Sequence, residues 1–151
     1  MNTADQYLKA IYLVQDSENG PASTGSVAEA LDVSPASANE MIGKLEGRGL
    51  ADHEKYRGVE LTEEGVLRAR EALSTYCIIQ RFLLEVLEVE DFRAEARQLE
   101  SVIDETVAER LDTIIERRSE CPDCFDHDAD ACRFLVDCAG ECGTVDSEAA
   151  D

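Results

Sequence analysis

Five cysteines crowd the last part of the chain: Cys121, Cys124, Cys132, Cys138 and Cys142. Cys121 and Cys124 form a C-x2-C pair with Pro122 inside it, a spacing that lets two thiolates converge on one centre from a tight turn. The other three follow within 18 residues. Only Phe125, Phe134, Leu135 and Val136 could pack there, too few to fold the segment unaided. Binding a metal centre would supply the missing order, because ligation and folding are linked. Unliganded thiols in such a segment would be open to oxidation.

Two centres are compatible with the spacing. A four-cysteine zinc site would use Cys121, Cys124, Cys138 and Cys142 and leave Cys132 over. An iron–sulfur cluster uses three or four cysteines and tolerates irregular spacing, so the fifth cysteine favours it. Redox-active or idle thiols are the bland alternative. His127 could stand in for one cysteine as a ligand, and His53 reads as a surface residue. Cys77 stands apart from the cluster and reads as a small core residue, free cysteine being among the most buried types.

A second stretch carries a different chemistry. Ser23 to Gly65 runs STGSVAEALDVSPASANEMIGKLEGRGLADHEKYRGVELTEEG. Val27, Ala28 and Leu31 recur at helical period, Asp32 and Val33 make a turn, and Ser34 offers a hydroxyl to cap a new helix. Pro35 then suits the first helical position, since it has no N–H to leave unbonded. That second helix should bury Ala38, Met41, Ile42 and Leu45 and turn Ser37, Asn39, Glu40 and Lys44 outward. Two short strands follow, Leu50 to Glu54 and Val59 to Leu61, joined by Lys55-Tyr56-Arg57-Gly58. Helix, turn, helix and basic-tipped hairpin make a winged helix-turn-helix pattern. The pattern also occurs in enzymes and protein-interaction modules, but small, polar and cationic outward residues suit base edges and phosphates in a major groove. The candidate DNA-binding residues are therefore Ser34, Pro35, Ser37, Asn39 and Lys44, with Arg57 at the hairpin tip for a phosphate or minor-groove contact.

The charge balance complicates that expectation. The 151 residues carry 34 acids against 14 bases, a net charge of −20. The balance is −6 over residues 1–73, −6 over 74–120 and −8 over 121–151. Phosphate attraction normally supplies much of the affinity for DNA, so a net acidic binder looks contradictory. A cytoplasm of very high salt resolves it, and three lysines against eleven arginines fit such a halophilic setting. DNA affinity would then rest on local contacts and shape. No apolar run approaches 18 residues and no signal-peptide pattern is present, so a cytoplasmic protein without a membrane partner is expected. No nucleophile–base set, phosphate loop or paired catalytic carboxylates stands out. An enzyme with a small-molecule substrate is not expected.

The elements that must position these residues are mainly helical. A first helix starts at Thr3 and places Leu8, Ile11, Tyr12 and Gln15 on one face. Asn19-Gly20-Pro21 marks a loop. After the hairpin, Thr62 caps a long helix running to about Leu87, with Glu63 and Glu64 offsetting its dipole. Its apolar set (Val66, Ala69, Leu73, Tyr76, Ile79, Leu83, Val86) exceeds what one wing domain needs and points to a homodimer interface. After a break at Glu88 to Asp91, a second long helix is expected from Phe92 to about Arg118. The fold class is thus mainly α. It comprises a winged helix-turn-helix domain over 1–73, a helical dimerisation domain over 74–118 and a small Cys-rich acidic tail over 119–151.

The order of parts resembles the iron- and manganese-dependent DtxR/MntR family of repressors. The matching stretches are TADQYLKAIY, SVAEALDVSPASANEMIGKLEGRGL, YRGVELTEEG, RFLLEVLEV and EARQLESVIDETVAERL, together covering roughly residues 3–118. The resemblance implies a dimer that binds double-stranded operator DNA and a divalent metal held by helix one and both dimerisation helices. At the positions that carry those ligands in the family, this chain has Gln6, Tyr76, Gln80, Arg93, Arg97, Glu100 and Ser101. One carboxylate survives and two guanidinium groups intrude, so the inherited metal site is expected to be lost. A regulator without that sensor needs another input, which is a further reason to expect iron–sulfur at the tail, sensing iron or redox state. A structural zinc site is the alternative within the class. Outside it, the same fold could serve as a non-DNA-binding iron–sulfur or protein-interaction module.

Overall fold

The structure, a computed structural model, describes residues 3–54, 56–115, 125–126 and 131–132. The chain divides into two compact units, Met1–Ser74 and Thr75–Asp151.

In the first unit, helix α1 (Thr3–Glu18) turns Leu8 and Ile11 fully inward. Helix α2 (Thr24–Leu31) starts at Ser23, whose hydroxyl accepts from the Ser26 N–H at 3.0 Å. It stops where Asp32 takes a left-handed conformation, φ 54°, that only a few residue types tolerate. Helix α3 (Pro35–Gly47) starts three residues later, with Pro35 in its first turn. Val27, Ala38, Ile42 and Leu45 close over Leu8 and Ile11, and all six are fully buried. Burying such a side chain contributes about 1.5–3 kcal/mol, Ala38 less, so this cluster is what holds three short helices together.

The wing is built onto that cluster. Strands β1 (Ala51–Glu54) and β2 (Gly58–Leu61) pair antiparallel, Ala51 opposite Leu61 and Glu54 opposite Gly58. Val59 is fully buried and exchanges both backbone hydrogen bonds with Ala22, at 2.9 and 2.8 Å. The close approach requires glycine at 58: a Cβ there would collide with the Ala22 carbonyl, and φ is +102°. Gln15, the polar end of the α1 face, accepts from the Leu61 N–H at 3.0 Å and so ties β2 to α1.

Helix α4 (Glu63–Arg81) follows at once. The Thr62 hydroxyl accepts from the Gly65 N–H at 3.2 Å and donates to the Gly49 carbonyl at 2.8 Å, joining the start of α4 to the end of α3. Arg68 donates to Asp5 at 3.0 Å and Arg70 to the Tyr12 hydroxyl at 2.9 Å. These two bonds fasten the first half of α4 to α1.

In the second unit the end of α4 widens into a π-helical turn, Phe82–Val86, which stops at Glu88 with φ +55°. Tyr76, Ile79 and Leu83 are buried along this part of α4 and the turn. The expected second long helix, Phe92 to Arg118, is not continuous. It is two helices, α5 (Phe92–Glu100) and α6 (Glu105–Ile114). Two side chains interrupt it. Ser101 donates its hydroxyl to the Gln98 carbonyl at 2.8 Å. Asp104, in an extended conformation, accepts from the Val107 N–H at 2.9 Å and starts α6 afresh. α6 ends at Ile115, and residues 116–118 lie outside the described ones. A short antiparallel pair, β3 (Phe125–Asp126) and β4 (Ala131–Cys132), belongs to the same unit.

Candidate nucleic-acid interface and inherited metal positions

α3 gathers four of the six candidate DNA contacts, and its N-terminal cap Ser34 supplies a fifth. The Ser34 hydroxyl accepts from the Ser37 N–H at 3.1 Å and donates to the Ser37 hydroxyl at 2.9 Å. Pro35, Ser37, Asn39 and Lys44 are exposed, while Ala38, Ile42 and Leu45 on the opposite side hold the helix to the core. Met41, expected in that core, is half-buried at its edge. Lys44 lies 3.8 Å from Glu40 on the preceding turn, with both side chains largely in solvent. Such a pair is worth at most about 1 kcal/mol, so the ammonium can leave it for a phosphate at little cost.

Arg57 stands at the wing tip, 77% exposed and 3.2 Å from Glu54. The wing is held to α3 by Glu46, whose carboxylate accepts from the His53 N–H at 2.8 Å. His53 itself is exposed. The sequence expectation passed over Tyr56. Its side chain is 97% exposed and its backbone has φ +73°, an uncommon conformation for a bulky residue. The available signal was an aromatic residue in the tip of a four-residue connection, where glycine or asparagine is usual.

The positions that resemble the family's metal ligands do not form a donor set for a divalent cation. In the second unit Tyr76 and Gln80 are fully buried and Glu100 nearly so. A phenol and a carboxamide are weak donors, and a single carboxylate is too little for a hard or borderline cation. Arg97 is exposed, and Arg93 is placed over the Phe92 ring at 5.3 Å. Ser101 spends its hydroxyl on Gln98. Gln6, on α1 of the first unit, is half-buried. Among the described residues no group of three or more His, Cys, Asp or Glu could hold a metal ion.

Of the tail cysteines, Cys121, Cys124, Cys138 and Cys142 lie outside the described residues, as does His127. Cys132 is described in its backbone alone, in β4 opposite Phe125. Cys77 is buried on α4.

A trihelical core with a hairpin wing, its third helix polar on the outer face, defines a winged helix-turn-helix protein. Comparison with known proteins places it within that class. Residues 1–59 match the family described as iron dependent repressor, N-terminal DNA binding domain. Residues 62–125 match its companion, iron dependent repressor, metal binding and dimerisation domain. An uncharacterized HTH-type transcriptional regulator of Methanocaldococcus jannaschii is 33% identical over 115 residues, 75% of this chain and 92% of that one. The HTH-type transcriptional regulator MntR of Oceanobacillus iheyensis is 36% identical over 87 residues, 58% of each chain. Among solved structures, the metal-dependent transcriptional regulator MtsR superposes with a TM-score of 0.69 at 29% identity, covering 80% of this chain and 56% of that one. The manganese regulator SloR gives 0.65 at 28% identity, covering 81% and 57%. The chain belongs to the iron-dependent repressor family, that of DtxR and MntR, a family of transcriptional regulators. It spans little more than half the length of these two solved relatives.

Proposed function

We propose that this chain is a homodimeric transcription regulator that binds operator DNA through α3 and the wing and takes its signal from the C-terminal cysteines. The observation that carries the DNA half is the two-sidedness of α3. Ala38, Ile42 and Leu45 are fully buried, while Ser34, Pro35, Ser37, Asn39 and Lys44 are exposed on a helix held at its start by a cap and, two residues past its end, by the Thr62 hydroxyl on the Gly49 carbonyl. Arg57 adds a phosphate contact from the wing.

The dimer half rests on apolar side chains that one chain leaves in solvent. Val86, Leu87, Val102, Val107 and Ile114, all in the second unit, are 44–74% exposed. Such side chains suit burial against the same unit of a second copy. The organisation is a DNA-binding part over 1–73, a dimerising part over 74–118 and a cysteine-bearing tail over 119–151. No helix among the described residues is long and apolar enough to cross a membrane, consistent with a protein working on DNA in the cytoplasm.

The signal half rests on chemistry. The inherited positions present one carboxylate beside Tyr76, Gln80, Arg93 and Arg97, whereas the tail presents Cys121, Cys124, Cys132, Cys138 and Cys142. The centre is an iron–sulfur cluster that reports iron supply or redox state. The test is purification without oxygen, followed by iron, sulfide and zinc analysis and operator selection from random DNA. A brown protein with iron and sulfide in comparable amounts, binding a discrete operator, is the expected result. A colourless protein with one zinc per chain would reduce the tail to a structural knuckle. Failure to select any DNA would leave a protein-interaction module on the same fold.

A further inference from the structure

The end of α4 is buried on every side. Residues 76–81 are six in a row, and none of them is more than 7% exposed. Successive helical residues point about 100° apart, so burial of six together means cover all round. Arg81 meets that cover with its own counter-ion, donating to the Glu85 carboxylate at 3.1 Å.

Beside Tyr76 the cover includes Phe125. Its ring lies 6.1 Å from the Tyr76 ring with the planes inclined at 55°, a favourable tilted packing, and Phe125 is itself only 9% exposed. Gln80, fully buried, sits one turn further along the same face of α4. Positions 76 and 80 are two of those that resemble the family's metal ligands. Where the resemblance puts a cation, a side chain from 49 residues further along the chain is packed instead. A phenyl ring against a phenol offers neither the donors nor the open coordination position that a divalent ion requires.

We propose that this face of α4 is a seat for the chain's own Phe125, an aromatic plug in the place that the resemblance gives to a bound cation. The plug comes with the chain, so the end of α4 is covered without any dissolved ion. Cover then depends on where Phe125 sits rather than on metal supply. Withdrawal of the ring bares Tyr76 and loosens the packing around its neighbour Cys77, which is 1% exposed with the ring in place. The seat is a matter of packing within the second unit. It holds whether or not the chain binds DNA, and whichever centre the other cysteines bind.

The test uses the full chain and reads Cys77 as a reporter. The native protein is treated with a small maleimide, quenched and digested with trypsin. Mass spectrometry then follows the label in peptide 71–81, which carries no other cysteine. A buried thiol is labelled only when the structure around it opens, so the rate reports how often this face is bared. Phe125→Ala should label about tenfold faster or more, and Phe125→Leu, which keeps much of the apolar bulk, about threefold faster. Ala108→Gly is the control: it loosens α6, where Ala108 is buried, and leaves both rings in place. Its thermal midpoint should fall while its labelling stays within about twofold of wild type. Wild-type labelling in both Phe125 variants would overturn the seat. So would equal acceleration in Ala108→Gly and Phe125→Leu at equal loss of thermal midpoint, because labelling would then follow unfolding of the whole unit. If Phe125→Ala does not fold, Phe125→Leu against Ala108→Gly decides the matter.

Discussion

The ring of Phe125 lies 6.1 Å from that of Tyr76, the two planes inclined at 55°. Both are buried, and the contact joins residues 49 apart in sequence. Tilted aromatic pairs at this separation are favourable beyond the area they bury, by about 0.5–1.5 kcal/mol. Phe125 follows Cys124 directly and lies across β3–β4 from Cys132. Phe125 is therefore held against α4 by an aromatic contact within the second unit.

Phe125→Ala should destabilise the second unit by about 2–4 kcal/mol, the range for deleting most of a buried aromatic side chain with one edge near the surface. Phe125→Leu should cost about half as much. Denaturant unfolding of the full chain, followed by hydrogen exchange in peptides covering 72–81, measures both. Unchanged exchange around Tyr76 in Phe125→Ala would show that the contact stabilises nothing.

Ser37→Ala and Asn39→Ala remove exposed polar groups from α3 without touching Ala38, Ile42 or Leu45. Each should weaken operator binding by about 1–3 kcal/mol, the value of a base-contacting pair. Ser34→Ala should do more than that, because it also removes the cap and costs about 1 kcal/mol of stability. The comparison that matters is thermal midpoint against affinity. Ser37→Ala and Asn39→Ala should leave the midpoint within a degree or so of wild type. If both bind a selected operator normally, α3 is not the DNA-reading element.

Manganese or ferrous ion should not activate a variant in which the five tail cysteines are serine. Tyr76, Gln80 and a lone Glu100 offer too few donors, and Arg93 and Arg97 stand where the family places further ligands. Calorimetry should show no tight binding, and operator affinity should not rise with added metal. Tight Mn²⁺ binding that Glu100→Ala abolishes would mean the inherited site still works with a different set of ligands.

The DNA-binding half was legible in the sequence because its determinants are local. Ser34, Pro35 and the spacing of Ala38, Ile42 and Leu45 lie within one short helix, and each acts on its own neighbours. The break between α5 and α6 was not legible, because Leu99, Val102, Ile103 and Val107 continue a helical apolar spacing straight across it. What stops the helix is a pair of hydrogen bonds, Ser101 to Gln98 and Asp104 to Val107, which periodicity cannot register. The exposure of Val102 and Val107 shows how far the apolar spacing departs from burial in one chain. Phe125 was recognisable as one of few residues able to pack in the tail, but its partner lies 49 residues away and no local pattern names it.

The sharpest expectation concerns how the tail reaches the operator. Tyr76, which Phe125 contacts, lies on α4, and the first turn of that helix is capped by Thr62, which also bonds Gly49 beyond α3. A centre assembled on Cys124, Cys132 and their neighbours would restrict where Phe125 can sit and so stabilise one arrangement of α4 over others. Losing the centre would also free an acidic segment of balance −8, able to compete with phosphate for Lys44 and Arg57. Loaded and unloaded protein should then differ in operator affinity by about 1–3 kcal/mol, the usual range of coupling between two sites. Phe125→Leu, which keeps every cysteine, should bind the centre with unchanged stoichiometry yet reduce that difference. The measurement is operator affinity at one fixed salt concentration for wild type and Phe125→Leu, each with and without the centre, together with metal content. Equal affinities for loaded and unloaded wild type would remove the sensing role from the tail. A full difference preserved in Phe125→Leu would show that the signal travels by charge or another contact rather than through the Phe125–Tyr76 pair.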